Sequence, residues 1–263
     1  MDVGLALPHY DHSVPGERPL RWATVAAWAR AAERAGLASV WVSDHLFVSL
    51  DHWQGPDETV EPLECLASVA GLARATSAVR LGTLVICPHL RPPGVLAKAL
   101  ATLDVLSGGR LTVGLGAGWF ELEYTAAGLP FPPARTRLEQ LGETIEVLRL
   151  SFRGEPFDFD GAHLHLKGMV CLPRPLQRPS PPIWVGGRGD RLLGVVARCA
   201  DGWNAGRWWG TLEDYTERLA GLERACEVAG RDPATVTRSL NRLALVGEDE
   251  ADLRRRWEAL RAS

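Results

Sequence analysis

The sequence is poor in lysine, in paired cysteines and in long apolar runs, and the last two shortages each exclude a class of protein. Lys98 and Lys167 are the only lysines among 29 cationic residues. The arginine bias that results carries no mechanism of its own. The five cysteines, Cys65, Cys87, Cys171, Cys199 and Cys226, are odd in number, far apart and never spaced C-x-x-C, so neither a disulfide framework nor a zinc site is signalled. No eighteen apolar residues follow one another, and the opening Met1-Asp2-Val3-Gly4 sets no basic segment ahead of an apolar one. The expectation is a soluble, untargeted, cytoplasmic protein with no membrane partner. A charge block is also missing. The net charge is −3 with acids and bases interspersed, which leaves no basic face for nucleic acid or anionic lipid.

What is present is enough apolar material for a large core, 46% of 263 residues, with no Ser/Gly-rich linker to divide it. A single domain over 1–263 follows. Val3 to Leu7 reads as a short buried strand, and the spacing of Val25, Trp28, Ala32 and Gly36 predicts a helix that Gly36 caps in the left-handed conformation. Ser39 to Ser43 is a β-branched, nearly continuous apolar run, as in a parallel strand covered on both faces. The alternation recurs with helices over 62–74 and 92–106 and strands over 79–86 and 110–115. It continues with a helix over 135–150, a strand over 183–185, a helix over 190–199, a strand over 202–204 and a helix over 212–229. A strand over 236–246 and a helix over 252–262 come last. Repeated βα units of this length favour a TIM-type (β/α)8 barrel. An insertion at about 151–182 contains Phe157 to Leu166, whose alternation around Asp160-Gly161 predicts a hairpin. The count is seven strands where a closed barrel has eight. Either one strand escapes the pattern, or the chain lacks the eighth strand and helix and leaves costly unpaired edges.

Barrel chemistry sits at the carboxyl ends of strands. After the first strand stand His9 and Tyr10, and after the second Asp44, His45, Leu46 and Phe47. An Asp-His pair there can orient an imidazole that exchanges protons near neutral pH; a capping Asp44 with a packing His45 explains the same residues. Leu84 to His89 suits a flat ring or ordinary barrel core. Gly114-Leu115-Gly116-Ala117-Gly118-Trp119 lets backbone approach a cofactor closely, but Trp119 replaces the third Rossmann glycine and no helix is expected to start there. Gly186-Gly187-Arg188-Gly189, between a strand and a helix, converges amides, a helix dipole and a guanidinium on a point that suits phosphate. Tryptophans 53, 119, 203, 208 and 209 fall near strand ends or in loops and can line a pocket or pack in the core. His163 and His165 have a strand-like metal spacing without a third ligand, and no metal is expected.

The run from Ala32 to Leu46 resembles the start of the bacterial luciferase-like monooxygenase superfamily. The same order is kept by Arg80-Leu81-Gly82-Thr83 leading to Arg91 to Lys98, then Thr102-Leu103-Asp104 with Ser107 to Arg110, and then Gly114 to Trp119 with Glu121 and Tyr124. Pro182 to Gly187 and Ala200 to Trp203 complete it, so the resemblance spans roughly residues 2–246. It implies a (β/α)8 barrel, usually dimeric, that binds reduced FMN or coenzyme F420, and the sequence is more similar to the F420-dependent branch. It further implies Asp44 as cofactor ligand, His45 as proton donor or acceptor, and a bulge with a non-prolyl cis peptide at Leu84-Val85. Ala117-Gly118 would pass the ribityl chain, and Gly186, Gly187 and Arg188 would hold phosphate. Where a sugar-phosphate dehydrogenase of the family carries glutamate, this chain has Trp119 and Phe120, which with His9 and Trp203 are expected to line the substrate pocket. The function expected is hydride transfer between F420 and an unidentified small organic substrate, in a homodimer. The alternatives are an FMN-dependent monooxygenase, a non-catalytic cofactor-binding paralogue, and a hydrolase with metal held by His9, His12 and His45.

Overall fold

The alternating pattern folds as one parallel sheet backed by helices. The computed structural model describes residues 1–11, 13–49, 58–206 and 211–262. In chain order it runs β1 (Gly4–Ala6), α1 (Trp22–Arg34), β2 (Ser39–Val42), β3 (Val48–Ser49), β4 (Thr59–Val60), α2 (Cys65–Ala75), β5 (Arg80–Thr83), α3 (Pro93–Leu106) and β6 (Leu111–Leu115). Then come α4 (Glu121–Ala126), α5 (Ala134–Phe152), β7 (Phe157–Asp160), β8 (His165–Met169), β9 (Ile183–Gly186), α6 (Asp190–Cys199), β10 (Gly202–Asn204), α7 (Leu212–Val228), β11 (Thr237–Ser239) and α8 (Glu250–Ala262).

Seven strands form the main sheet in the order β1-β2-β5-β6-β9-β10-β11, every pair parallel. Among the described residues β1 and β11 do not pair with each other, so the sheet has two ends. Its register sorts the side chains. Val40, Leu81, Leu111, Val113, Ile183 and Val185 share the face that meets the helices, and all six are fully buried. The opposite face carries Gly4, Trp41, Gly82, Gly114, Trp184, Gly186 and Gly202. There the Trp41 and Trp184 ring centroids are 5.3 Å apart. Their strands are three steps apart in the sheet, about 14 Å if it were flat, so the sheet curls into a barrel wall with this face inside. The glycines make that possible: a Cβ on Gly82 would meet the Trp41 ring, and one on Gly202 would lie 2.6 Å from that of Trp184.

Gly36, at φ +74°, caps α1 as expected. The inserted hairpin β7–β8 forms, its turn held by Glu143, which accepts from the backbone amides of Ala162, His163 and Leu164. Two expectations fail. A helix does begin just after Trp119, because Phe120 turns the chain into α4. The strand expected over 236–246 stops at Ser239, whose carbonyl accepts from the Ala205 amide just past the end of β10. Leu243 and Val246 are left exposed. The antiparallel pair β3–β4, too short for its pattern to show, was not anticipated.

Candidate active site

The carboxyl end of β2 delivers Ser43, Asp44 and His45 to the mouth of the barrel. Asp44 is buried, and its carboxylate accepts from both terminal nitrogens of Arg91 at 2.6 and 2.8 Å and from the Cys87 amide at 3.1 Å. This bidentate clamp ties β2 to the segment after β5. Arg91 also reaches Glu64 at 2.6 Å.

His45 lies against a carboxylate that sequence reasoning missed. Its Nδ1 is 3.2 Å from both oxygens of Glu123, which is 1% exposed and also accepts from the Leu46 amide at 3.1 Å. Because the carboxylate only accepts, Nδ1 carries the hydrogen and Nε2 is the basic nitrogen of the neutral ring. The Trp119 ring meets His45 edge to face at 5.6 Å. Glu123 lies in the first turn of α4 beside the buried Tyr124, and no local sequence signal marks it.

His9 is differently placed. It is buried, its Nδ1 donates to the Leu7 carbonyl at 2.9 Å, and its Nε2 accepts from the Ser43 amide at 3.1 Å and faces the Ser43 hydroxyl at 3.0 Å. Burial holds its pKa below the ordinary value, so the ring is neutral. Tyr10 extends the network through a 2.5 Å contact with Ser43 Oγ, and burial raises its phenol to about 12. His9 thus joins β1 to β2 with both ring nitrogens engaged.

Leu84-Val85 is a cis peptide, as the resemblance implied. Val85 points inward, and a Cβ on Gly116, Gly186 or Gly114 would lie 2.6, 2.8 or 3.3 Å from its methyl groups. Three glycines therefore leave room for one apolar ledge inside the barrel mouth. Gly118, at φ +72°, lies so close to Tyr124 that a Cβ would strike its hydroxyl. That hydroxyl contacts Cys87 Sγ at 2.7 Å, and the Ala117 carbonyl accepts from Arg137 at 3.1 Å.

Gly187, at φ +138°, donates its amide to the Asn204 carbonyl at 3.1 Å, so this amide extends the sheet ladder. Gly189 caps α6 without a side-chain bond, and Arg188 stands beside it, 3.6 Å from Asp214. Trp203 does not line the mouth. Strand alternation turns it to the helix side, where it is fully buried, stacks on Tyr215 at 6.0 Å and donates Nε1 to the Gly187 carbonyl at 2.8 Å. Phe120 is buried in a cluster with Val48 and Val60, against which Tyr10 and Phe47 pack.

His163 and His165 go to separate partners, Glu139 at 3.0 Å and Asp160 at 2.7 Å. His12, Trp53, Trp208 and Trp209 lie outside the described residues. Among the described residues no helix is long and apolar enough to cross a membrane.

The family model described as luciferase-like monooxygenase matches residues 1–263. An F420-dependent hydroxymycolic acid dehydrogenase of Mycobacterium tuberculosis is 32% identical over 255 residues, which is 96% of this chain and 65% of that protein. An F420-dependent glucose-6-phosphate dehydrogenase of Kineococcus radiotolerans is 33% identical over 229 residues, 86% of this chain and 65% of that one. The chain thus spans slightly less than two thirds of the length of either relative. Among solved structures, the monooxygenase RslO1 from Streptomyces bottropensis superposes with a TM-score of 0.78 at 24% identity, over all of this chain and 77% of that one. An F420-dependent secondary alcohol dehydrogenase, in complex with an F420-acetone adduct, superposes with a TM-score of 0.76 at 22% identity, over 91% and 68%. These likenesses show the barrel fold, and the match along its whole length shows that the chain belongs to the luciferase-like monooxygenase family.

Proposed function

We propose that this chain is an F420-dependent oxidoreductase that moves a hydride between the deazaflavin and a small organic substrate. The observation that carries the reading is His45, held by a buried carboxylate with Nε2 as its basic nitrogen, after the end of β2, whose neighbour β5 leads into Val85.

The residues present fit the cofactor. Val85, backed by Gly114, Gly116 and Gly186, is an apolar support for the face of a flat ring, and Ala117-Gly118 gives close backbone approach for a polyol chain. Arg188 and the N-terminus of α6 suit its phosphate. When bound, F420 supplies a carbon, C5, that accepts or returns a hydride. The chain's own task is the proton. His45 Nε2 takes it from a substrate hydroxyl or gives it back to a carbonyl oxygen. Glu123 holds the ring in the tautomer that this requires and stabilises the imidazolium. Asp44, fixed by Arg91, locks the strand end that presents His45 and keeps one unused lone pair, on Oδ1, for a cofactor hydrogen bond.

The relatives named for F420-dependent dehydrogenases support this reading. A homodimer in the cytoplasm belongs to the same proposal, and the five free cysteines agree with a reducing compartment. The test is a parallel titration with F420 and FMN, oxidised and reduced, followed by absorbance and fluorescence. Tight binding of F420 alone is expected; preference for FMNH2 with oxygen consumption would move the chain to the monooxygenases.

A further inference from the structure

Arg137 is a buried cation without an anion. It lies in the first turn of α5 and is 8% exposed. Its Nε donates to the Ala117 carbonyl at 3.1 Å, its Nη1 donates to the Pro132 carbonyl, and its guanidinium carbon lies 3.9 Å from the centroid of the Phe131 ring. Among the described residues no carboxylate pairs with it, whereas Arg91 has both Asp44 and Glu64. The helix adds to the imbalance. α5 has no acid in its first turn, and the head of Arg137, bonded to the residue before the N-cap, sits at the positive end of the dipole. Its field is felt nearby, since burial and then the charge of Arg137 push His89 down to about 4 from 6.5. A buried charge is costly unless an opposite charge compensates it, and Arg137 has only two neutral acceptors and a ring.

The contacts of Arg137 lead to the cofactor loop. Ala117, whose carbonyl it holds, follows Gly116, and a Cβ on Gly116 would lie 2.6 Å from a methyl of Val85, the apolar ledge for the ring. Gly118, the next residue, lies against the Tyr124 hydroxyl, and the Tyr124 ring meets that of Phe131 at 4.8 Å. Arg137, Phe131 and Tyr124 thus form one stack that holds Ala117 at one end and Gly118 at the other. The cation stands one peptide unit from the support of the ring.

We propose that Arg137 is a positioning residue for this loop and that its unpaired charge favours the reduced over the oxidised form of the deazaflavin. This deepens the F420-dependent reading and rests on it. Hydride transfer to C5 brings two electrons and one proton to the ring, which carries one extra negative charge until a proton from solvent joins it. The substrate loses the same two electrons with its C–H, and its hydroxyl proton goes to His45 Nε2. A fixed cation behind the loop stabilises the electron-rich ring and changes the neutral one little. Asp44, Glu64 and Glu123 oppose that charge, and Arg91 offsets only part of theirs, so a neutral residue at 137 would leave the mouth the more negative.

The experiment compares the two redox forms of one cofactor. F420 and F420H2 are each titrated anaerobically by calorimetry into the parent and three variants, with thermal unfolding as the check on folding. Arg137→Gln keeps an N–H for the Ala117 carbonyl and loses the charge. It should weaken F420H2 at least about tenfold more than F420, which lowers the potential of the bound two-electron couple by about 30 mV. Arg137→Met should show the same change in ratio on top of weaker binding of both forms, and Arg137→Lys should restore most of the ratio. Equal weakening of the two forms by Arg137→Gln and Arg137→Met reduces Arg137 to a brace and overturns the proposal, as does no change in either. If neither neutral variant folds, Arg137→Lys decides: a ratio close to that of the parent is expected, and one lowered tenfold with the charge retained overturns it. A parent protein that binds neither form overturns the F420-dependent reading itself, a result distinct from all of these.

Discussion

The two faces of the main sheet are built from opposite materials. The outer face is Val, Leu and Ile sealed under helices, whereas the inner face is glycine, tryptophan and a few polar groups that stay partly open. Apolar burial is worth roughly 25 cal/mol per Å², so the outer layer supplies the cohesion. The inner face gives up packing for access, since each glycine there removes a side chain so that Trp41, Trp184 or Val85 can occupy the space. The difference teaches that stability and chemistry are carried by alternate residues of the same strands, and they should respond separately to mutation.

The largest effect should come from breaking the outer layer. Leu81→Ala removes a fully buried side chain from the centre of that face and should cost about 2 to 5 kcal/mol, read as a fall in the denaturant midpoint. F420 affinity of the folded fraction should hold. If Leu81→Ala costs under about 1 kcal/mol, the outer layer is not the main source of cohesion.

Next comes the inner counterpart. Glu123→Gln keeps an oxygen for the Leu46 amide but loses the charge that faces His45. It should lower kcat about 10²- to 10³-fold with KM and Tm nearly unchanged, and Glu123→Asp should recover part of the loss. A Glu123→Gln variant with parental kcat and pH profile would make the contact structural only.

This split was half legible in the sequence. The outer residues announce themselves by β-branching and period, so the strands, most helices and the count of seven could be read directly. The inner face was read by motif, which located Asp44, His45, Leu84-Val85 and the glycine loops. Glu123 escaped because nothing local distinguishes an acid that closes on a histidine 78 positions away from one facing water. Trp203 was misplaced because aromatic residues suit a pocket and a core equally. Strand phase decided the matter, and phase cannot be fixed from a run as short as Gly202–Asn204.

Acid should sharpen the contrast further. His89 sits at the mouth, its ring 6.3 Å from that of Tyr124, and burial together with the charge of Arg137 pushes it down to about 4 from 6.5. The unfolded chain therefore binds this proton more readily than the folded one between those values. Stability is unaffected above about pH 6.5 and falls as pH drops towards 4, by about 3 kcal/mol. Unfolding measured from pH 7 to 4 should show a slope that His89→Asn reduces. An unchanged slope would place the acid sensitivity elsewhere, and His9, whose pKa burial also lowers, becomes the residue to replace.

The smallest effect concerns the two ends of the sheet rather than its two faces. β6 is five residues long, paired on both sides and buried throughout, whereas β11 is three residues long and among the described residues pairs only with β10. α8 follows it, with Trp257 about half exposed. Opening β11 exposes little apolar surface, so its amides should exchange with solvent through local opening, and those of Leu111–Leu115 only through global unfolding. Hydrogen exchange resolved by residue should show protection at 237–239 lower by roughly a hundredfold or more. Equal protection would mean that β11 unfolds together with β6, and that cohesion crosses the inner face as well as the outer one.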